Sequence, residues 1–400
     1  MTYHAMDEAS SVLHIVAGFS LETLGGVERY TFDLSRALAH RGLRVGIAGI
    51  WQFGTPYEID WMQRLNAAGV ETFIGCQKDE RAPLRNLIVS IAQLKHRLAG
   101  RRFEIIHSQQ EFGDVVALAL RHTTQAHLLV RSVHNDIEWR ARPLRRWLLS
   151  NVLLPLAFDV ECGITPAITA RLNRRPLAAL LRRRAVLAPN AIDFSRFTNS
   201  QTNRAGARRA LGWPADACIV GNVGRLTEQK GHVYLIEAAA RLRAQLPHLR
   251  VYIIGEGELR PTLQSHIARL NLQDVVTLAG SLPNITDAYA AMDVFASSSL
   301  WEGLPTVILE AMAMRTPVVA TDIEGTRDLI RHEHTGLLAP PADPDALAGA
   351  ILRATRESEH MRAMAQVAFS SAREFSLDRV AEQLAQLYRQ HLCSAQANDV

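Results

Sequence analysis

Lysine is almost missing from this sequence. Only Lys78, Lys95 and Lys230 occur among 44 basic residues, so arginine is the default cation and each retained lysine invites a reason. Cysteine is scarce too. Cys76, Cys162, Cys218 and Cys393 stand far apart, with no paired spacing, which excludes a disulfide framework or a structural zinc site and fits a reduced, cytoplasmic compartment. No apolar run approaches the ~18 residues of a membrane-spanning helix. The first residues carry Asp7 and Glu8 where a signal peptide would carry positive charge, so VLHIVAGF reads as a first strand. Low-complexity segments and short internal repeats are lacking, which excludes solenoids and disordered arrays.

What is present is a chain of 400 residues, 48% hydrophobic and 21% charged, the profile of a globular protein long enough for two domains. Apolar, β-branched runs alternate with helical stretches. In the first half the runs are Val12–Val16, Val45–Ile50, Val70–Ile74, Glu104–His107, His127–Val133 and Asp159–Gly163. In the second they are Cys218–Val223, Arg250–Ile254, Val275–Leu278, Val294–Ala296 and Pro317–Ala320. Patterns such as Val27–His40, Leu84–Leu98, Val233–Leu246 and Ala346–Arg356 read as the intervening helices. Such alternation predicts α/β architecture, with parallel sheets covered on both faces, and two series predict two doubly wound domains. The polar stretch TNSQTNRAGAR (198–208) is the expected linker. In such sheets ligands bind beyond the C-terminal strand ends, so a cleft between the two domains is the expected site.

Three stretches place chemistry at those ends. In FSLETLGGVERY, Gly25 and Gly26 precede a helix expected to start near Val27, where backbone N–H groups can approach a phosphate; the alternative is a flexible turn. In GNVGRLTEQKGH, Arg225 and Lys230 flank a turn before a helix expected near Gly231, a forked and a point cation suited to a diphosphate; the alternative is a solvated basic turn. In WEGLPTVILEAMA, Pro305 suits a first helical turn, Glu310 falls in the second turn and Glu302 in the loop before it. A helix N-terminus attracts anions, while carboxylates accept hydroxyl protons, so a phosphosugar fits this stretch better than two solvated glutamates. His134, at the end of HLLVRSVH, is expected to point into the same cleft.

Net charge is +4 and uneven: Trp139 to Arg184 holds ten arginines against Asp159 and Glu161, a local +8. RARPLRRWLLSNVLLPLAF can lie on an anionic membrane surface or be a solvated helix.

In order, GGVERY, GRLTEQKG, IIGEGELR and WEGLPTVILEAMAMRTPVVATD resemble the retaining GT-B glycosyltransferases of family 4, the group 1 enzymes, over nearly the whole chain. The resemblance implies a GT-B fold: an acceptor domain over 1–195, a donor domain over 196–376 and a last helix near 377–392 crossing back to the first domain. It implies sugar transfer from a nucleotide-sugar to a glycan or lipid-linked acceptor in cell-envelope or exported polysaccharide synthesis. No metal, no other cofactor and no nucleic-acid partner is expected, and the enzyme would work in the cytoplasm, at the inner membrane face if the basic segment docks there. By the same resemblance Arg225 and Lys230 bind the donor diphosphate, while Glu302 with the backbone of Gly303, Leu304 and Pro305 holds sugar hydroxyls. Glu310 takes the ribose, the segment around Leu282 the nucleobase and Gly26 a phosphate, while His134 touches the sugar near its 6-position. Glu302, His134, Arg225 and Lys230 form the catalytic set it implies.

The sequence departs from the family pattern at Ala191 in PNAID, at Arg315 before TPVV, and at Gln109, where a histidine is usual. Asp343-Pro344-Asp345 could suggest metal binding, but PPADPDALAGAI reads as a helix cap. Rival readings stay open. A nucleotide-sugar 2-epimerase would need further acid/base groups, a hydrolase would need Glu302 and Glu310 astride one bond, and a non-catalytic sugar-nucleotide binder would use the same residues.

Overall fold

A computed structural model describes residues 10–21, 25–79, 81–135, 143–198 and 203–398, side chains being described as far as Cys393. The chain divides into two compact units, Met1–Ala191 with Leu377–Val400, and Ile192–Ser376. The expected boundary lay four residues later, at 195/196. It falls earlier because Phe194 stacks edge-on against Phe369 and Phe197 against Tyr289, which draws the short helix Phe194–Thr198 into the second unit. Residues 199–202 of the expected linker lie outside the described residues, and Asn203 already caps the helix Arg204–Leu211.

The first unit carries seven strands: β1 (Ser11–Val16), β2 (Arg44–Gln52), β3 (Val70–Gln77), β4 (Ile105–Ser108), β5 (Leu128–Val133), β6 (Val160–Gly163) and β7 (Val186–Leu187). They form one parallel sheet in the order β3-β2-β1-β4-β5-β6-β7. Strands β1, β4 and β5 are buried throughout, as strands covered on both faces must be. One face packs against the helices Gly26–His40 and Leu377–Asn398, with Leu38, Val380, Leu384 and Tyr388 in the core. The opposite face carries Leu94, Val116, Leu120 and Phe158. The last helix therefore belongs to the first unit and extends six residues beyond its expected end.

The second unit has β8 (Cys218–Val223), β9 (Leu249–Ile254), β10 (Val276–Gly280), β11 (Val294–Ser297), β12 (Val318–Thr321) and β13 (Leu337–Ala339). They form a parallel sheet in the order β10-β9-β8-β11-β12-β13. Each sheet reverses its winding once, between β1 and β4 in the first unit and between β8 and β11 in the second. A sheet of this kind opens a crevice where the winding reverses, beyond the strands' C-terminal ends.

Candidate active site

The reversal point of the second sheet collects the chemistry. Strand β8 runs into Gly224, the exposed Arg225 and a 3-10 turn, Glu228–Lys230, before the helix His232–Leu242. That helix begins one residue after the expected Gly231. Gly231 sits at φ 57°, and a Cβ there would lie 2.2 Å from the Ser298 carbonyl oxygen, so no side chain fits. The neighbouring strand, β11, ends at Ser297 and is followed by Ser298 and Ser299, and Ser298 Oγ donates to the Lys230 carbonyl at 2.9 Å.

Glu302 closes this corner. Its Oε1 accepts from Lys230 Nζ at 2.5 Å and from Ser299 Oγ at 2.7 Å, while Oε2 accepts from Gln229 Nε2 at 3.2 Å. The side chains of Lys230 and Glu302 are 17% and 7% exposed, so the pair is largely withdrawn from water. Gly325 backs the loop: a Cβ there would lie 1.8 Å from the Gly303 carbonyl oxygen. Pro305 is the N-cap of the helix Thr306–Ala313, one position before the first turn where it was expected, because its ψ of 97° is extended. Leu304 and Pro305 are buried and Gly303 half-buried.

Glu310 is held separately. Tyr289, from the helix Ile285–Ala291, donates from its hydroxyl to Glu310 Oε2 at 2.8 Å. Burial, then the neighbouring carboxylate, pushes the phenol well above its ordinary range, so Tyr289 stays a donor. Leu282 is half-buried in the loop after β10, beyond Gly280 and the Arg260–Glu256 ion pair (2.7 Å). Asp343 accepts from the backbone of Asp345 and Ala346 and so caps the helix Pro344–Arg356, while Asp345 pairs with Arg241.

In the first unit lie the other expected site residues, Gly25, Gly26 and His134. Gly25 N–H is already engaged by Glu28 Oε2 at 3.1 Å, and the helix starts at Gly26, one residue earlier than expected. Of the two glycines, Gly26 is thus the candidate for a phosphate. Residues 22–24 of the preceding loop lie outside the described residues. His134 follows β5 and is buried, with Nε2 3.2 Å from Gln109 Oε1. Gln109 Nε2 lies 3.3 Å from His14 Nδ1, and His107 contacts Ser132 Oγ at 2.9 Å and Tyr388 Oη at 2.6 Å. Burial lowers His14 to about 3, His134 to about 4 and His107 well below the usual imidazole value, so all three are neutral near pH 7.

Sequence reasoning missed Gln229, Ser299 and Tyr289 as supports and Gln109 as the partner of His134. The triple serine before WEG was the one local signal; the other contacts join residues far apart in the chain. The arginines of the basic segment do not all face solvent. Trp139, Arg140 and Arg142 lie outside the described residues; Arg175 is buried on Glu161 at 2.9 Å; and Arg183 caps the carbonyls of Pro155, Leu156 and Phe158.

Residues 203–370 match the family described as Glycosyl transferases group 1, and residues 24–196 match Glycosyltransferase Family 4. A D-inositol 3-phosphate glycosyltransferase of Corynebacterium urealyticum is 37% identical over 91% of this chain and 90% of its own length. An Escherichia coli UDP-Gal:α-D-GlcNAc-diphosphoundecaprenol α-1,3-galactosyltransferase is 32% identical over 42% of this chain and 44% of its own. Among solved structures, Anabaena HepE with UDP and glucose superimposes with a TM-score of 0.78 at 20% identity, over 95% of this chain and 99% of that one. The sucrose-phosphate synthase of Thermosynechococcus elongatus gives 0.80 at 24% identity, over 96% and 100%.

Proposed function

The chain belongs to the group 1 glycosyltransferases of the family 4 type and has their GT-B fold, and we propose that it transfers a sugar from a nucleotide-sugar to a glycan or lipid-linked acceptor with retention at the anomeric carbon. One observation carries the reading. At the winding reversal of the second sheet, Lys230 and Glu302 are joined at 2.5 Å beside the exposed Arg225. A cation and a carboxylate locked together in the free protein are the two groups that a sugar diphosphate needs. The diphosphate takes Lys230 and Arg225; the sugar hydroxyls take Glu302 and the backbone of Gly303, Leu304 and Pro305.

The cations then stabilise the charge that builds on the diphosphate as the sugar leaves. Glu310, oriented by Tyr289, accepts the ribose hydroxyls, and the loop at Leu282 faces the base. Gly26 serves a phosphate and His134 a sugar hydroxyl. No carboxylate among these residues is free to attack the sugar from its far side, which favours front-side displacement, with a donor phosphate oxygen taking the acceptor proton. None of these steps calls for a metal or other cofactor. The names of the similar transferases favour work at the cell envelope, and exposed Leu144, Trp147, Leu148 and Leu153 beside Arg145 and Arg146 support docking on an anionic membrane from the cytoplasmic side.

A thermal-shift screen against UDP, GDP and ADP identifies the donor base: the right nucleotide at 100 times its Kd should raise the unfolding free energy by about 2.7 kcal/mol. With the matching donor, nucleoside diphosphate should be released only when an acceptor sugar is supplied. Release at the same rate without acceptor would indicate hydrolysis. A shift on nucleotide binding with no turnover on any acceptor would leave a binder or an isomerase.

A further inference from the structure

His14 on β1, His107 on β4 and His134 just beyond β5 lie on one face of the first sheet, at its own winding reversal. His14 and His107 are direct neighbours in the register of β1 and β4, their rings 5.3 Å apart. Gln109 stands between the outer two. It is fully buried and its backbone N–H is fixed on the Ile15 carbonyl at 3.2 Å, so its side chain has little freedom to turn elsewhere.

The amide of Gln109 has one donor end and one acceptor end. Its Nε2 can only donate, so the Nδ1 of His14 at 3.3 Å must be unprotonated. Its Oε1 can only accept, so the Nε2 of His134 at 3.2 Å must carry the proton. A neutral imidazole has one proton to place. In this orientation of the amide both rings are held as the Nε2–H form, which leaves His14 Nε2–H a buried donor without a partner among the described residues; reversing the amide would switch both rings together. What remains on His134 is Nδ1, a buried nitrogen with no hydrogen-bond partner among the described residues. In the Nε2–H form that nitrogen is a bare acceptor, and a buried acceptor without a partner is costly.

We propose that Gln109 is a positioning residue: its amide holds His14 and His134 in a common tautomer and so presents His134 Nδ1 as the acceptor for a sugar hydroxyl. The hydroxyl rests on the functional reading above; the tautomer does not. This arrangement gives His134 a directional role, since it accepts from an O–H and donates to none.

The test reads the two parts separately. In protein labelled with 15N-histidine, long-range proton–nitrogen correlation should show His14 and His134 each as a single Nε2–H tautomer, assigned with His14→Phe and His134→Ala. In Gln109→Met, His134 should lose its single tautomer, and kcat should fall roughly tenfold with the donor KM nearly unchanged, because ring polarity and anchorage are lost while the donor residues of the second unit remain. His14→Phe should release the His134 tautomer as well, without touching Gln109 or His134, and serves if Gln109→Met does not fold. Unlike tautomers in the two rings, an Nδ1–H form of His134, or a His134 tautomer unchanged in both variants would overturn the proposal. Wild-type turnover in His134→Ala would instead overturn the reading that this histidine meets the sugar.

Discussion

At the scale of the residue, the one lysine of the second unit explains itself through its surroundings. The methylene stem of Lys230 packs over Gly224, where an added Cβ would lie 3.3 Å from Lys230 Cδ. Only the compact ammonium then reaches Glu302. A guanidinium is broader and planar, so arginine, which this chain uses nearly everywhere else, should fit this corner less well. Replacing Lys230 by alanine should lower turnover roughly 10²-fold or more, the usual cost of removing transition-state charge stabilisation. Lys230→Arg should recover only part of that loss. Steady-state kinetics with the matched donor measures both, and near-normal turnover in Lys230→Ala would remove Lys230 from the catalytic set. Gly325 offers a check on the facing loop. With Gly303 O 1.8 Å from its absent Cβ, Gly325→Ala must displace residues 302 and 303. Donor affinity should weaken while far-ultraviolet dichroism stays as in the wild type; unchanged affinity would mean that the 302–303 backbone does not hold the sugar.

At the scale of the element, the strands show what a sequence can and cannot reveal. Strands such as β1, β5 and β8 were legible because burial on both faces turns them into apolar runs. Strands β7 and β13, two and three residues long, were not: so few residues carry no periodicity, and pairing with a longer neighbour makes them strands. Glu302 and Glu310 stood out as carboxylates in an apolar run, whereas Tyr289 is 21 residues from Glu310 and Gln109 25 from His134, distances over which no local pattern survives. The same sheet hides a charged network. Arg131, 2% exposed, bridges Asp114 at 3.0 Å and Glu161 at 2.8 Å, and Glu161 also holds Arg175. Arg131→Ala should cost about 3–5 kcal/mol in urea unfolding, because two carboxylates would stay buried short of a partner. Loss of less than ~1 kcal/mol would show that water reaches them. The buried histidines on the other face of this sheet add an acid sensitivity of their own. In the folded chain His14 and His134 remain neutral down to about 3 and about 4, while in the unfolded chain they protonate near the ordinary imidazole value. The unfolded state thus binds more protons as pH falls below ~6.5, and stability should drop with a slope of up to about 1.4 kcal/mol per pH unit for each histidine. His14→Phe should flatten that slope; an unchanged slope would place the acid sensitivity elsewhere.

At the scale of the whole molecule, the apolar surface is unevenly spread, and the consequence can be measured. In the helical stretch 143–157, Leu144, Trp147, Leu148, Leu153 and Leu156 are all exposed, and Leu180 and Leu181 are exposed in the short helix packed beside it. A π-helical turn at Leu149–Leu153 precedes Pro155, whose ring would otherwise clash with the carbonyl one turn back. The exposed arginines here are Arg145, Arg146, Arg174, Arg182 and Arg184. An isolated leucine on a surface needs no explanation, but seven exposed apolar residues and five exposed arginines in one segment suit a lipid headgroup layer, with Trp147, 54% exposed, at the interface. No helix among the described residues is long and apolar enough to cross a membrane. Each arginine near an anionic surface contributes about 1 kcal/mol, screened beyond a Debye length of ~8 Å at physiological salt. The wild type should therefore sediment with anionic vesicles at low salt and dissociate as salt rises. Arg145→Glu with Arg146→Glu should abolish sedimentation while leaving nucleotide binding intact, since Arg225, Lys230 and Glu310 lie in the other unit and Gly26 on a different helix of this one. Binding to neutral and anionic vesicles alike would assign the contact to the leucines alone. No vesicle binding by the wild type at any salt concentration would make this face a solvated one and leave a soluble glycan as the better acceptor.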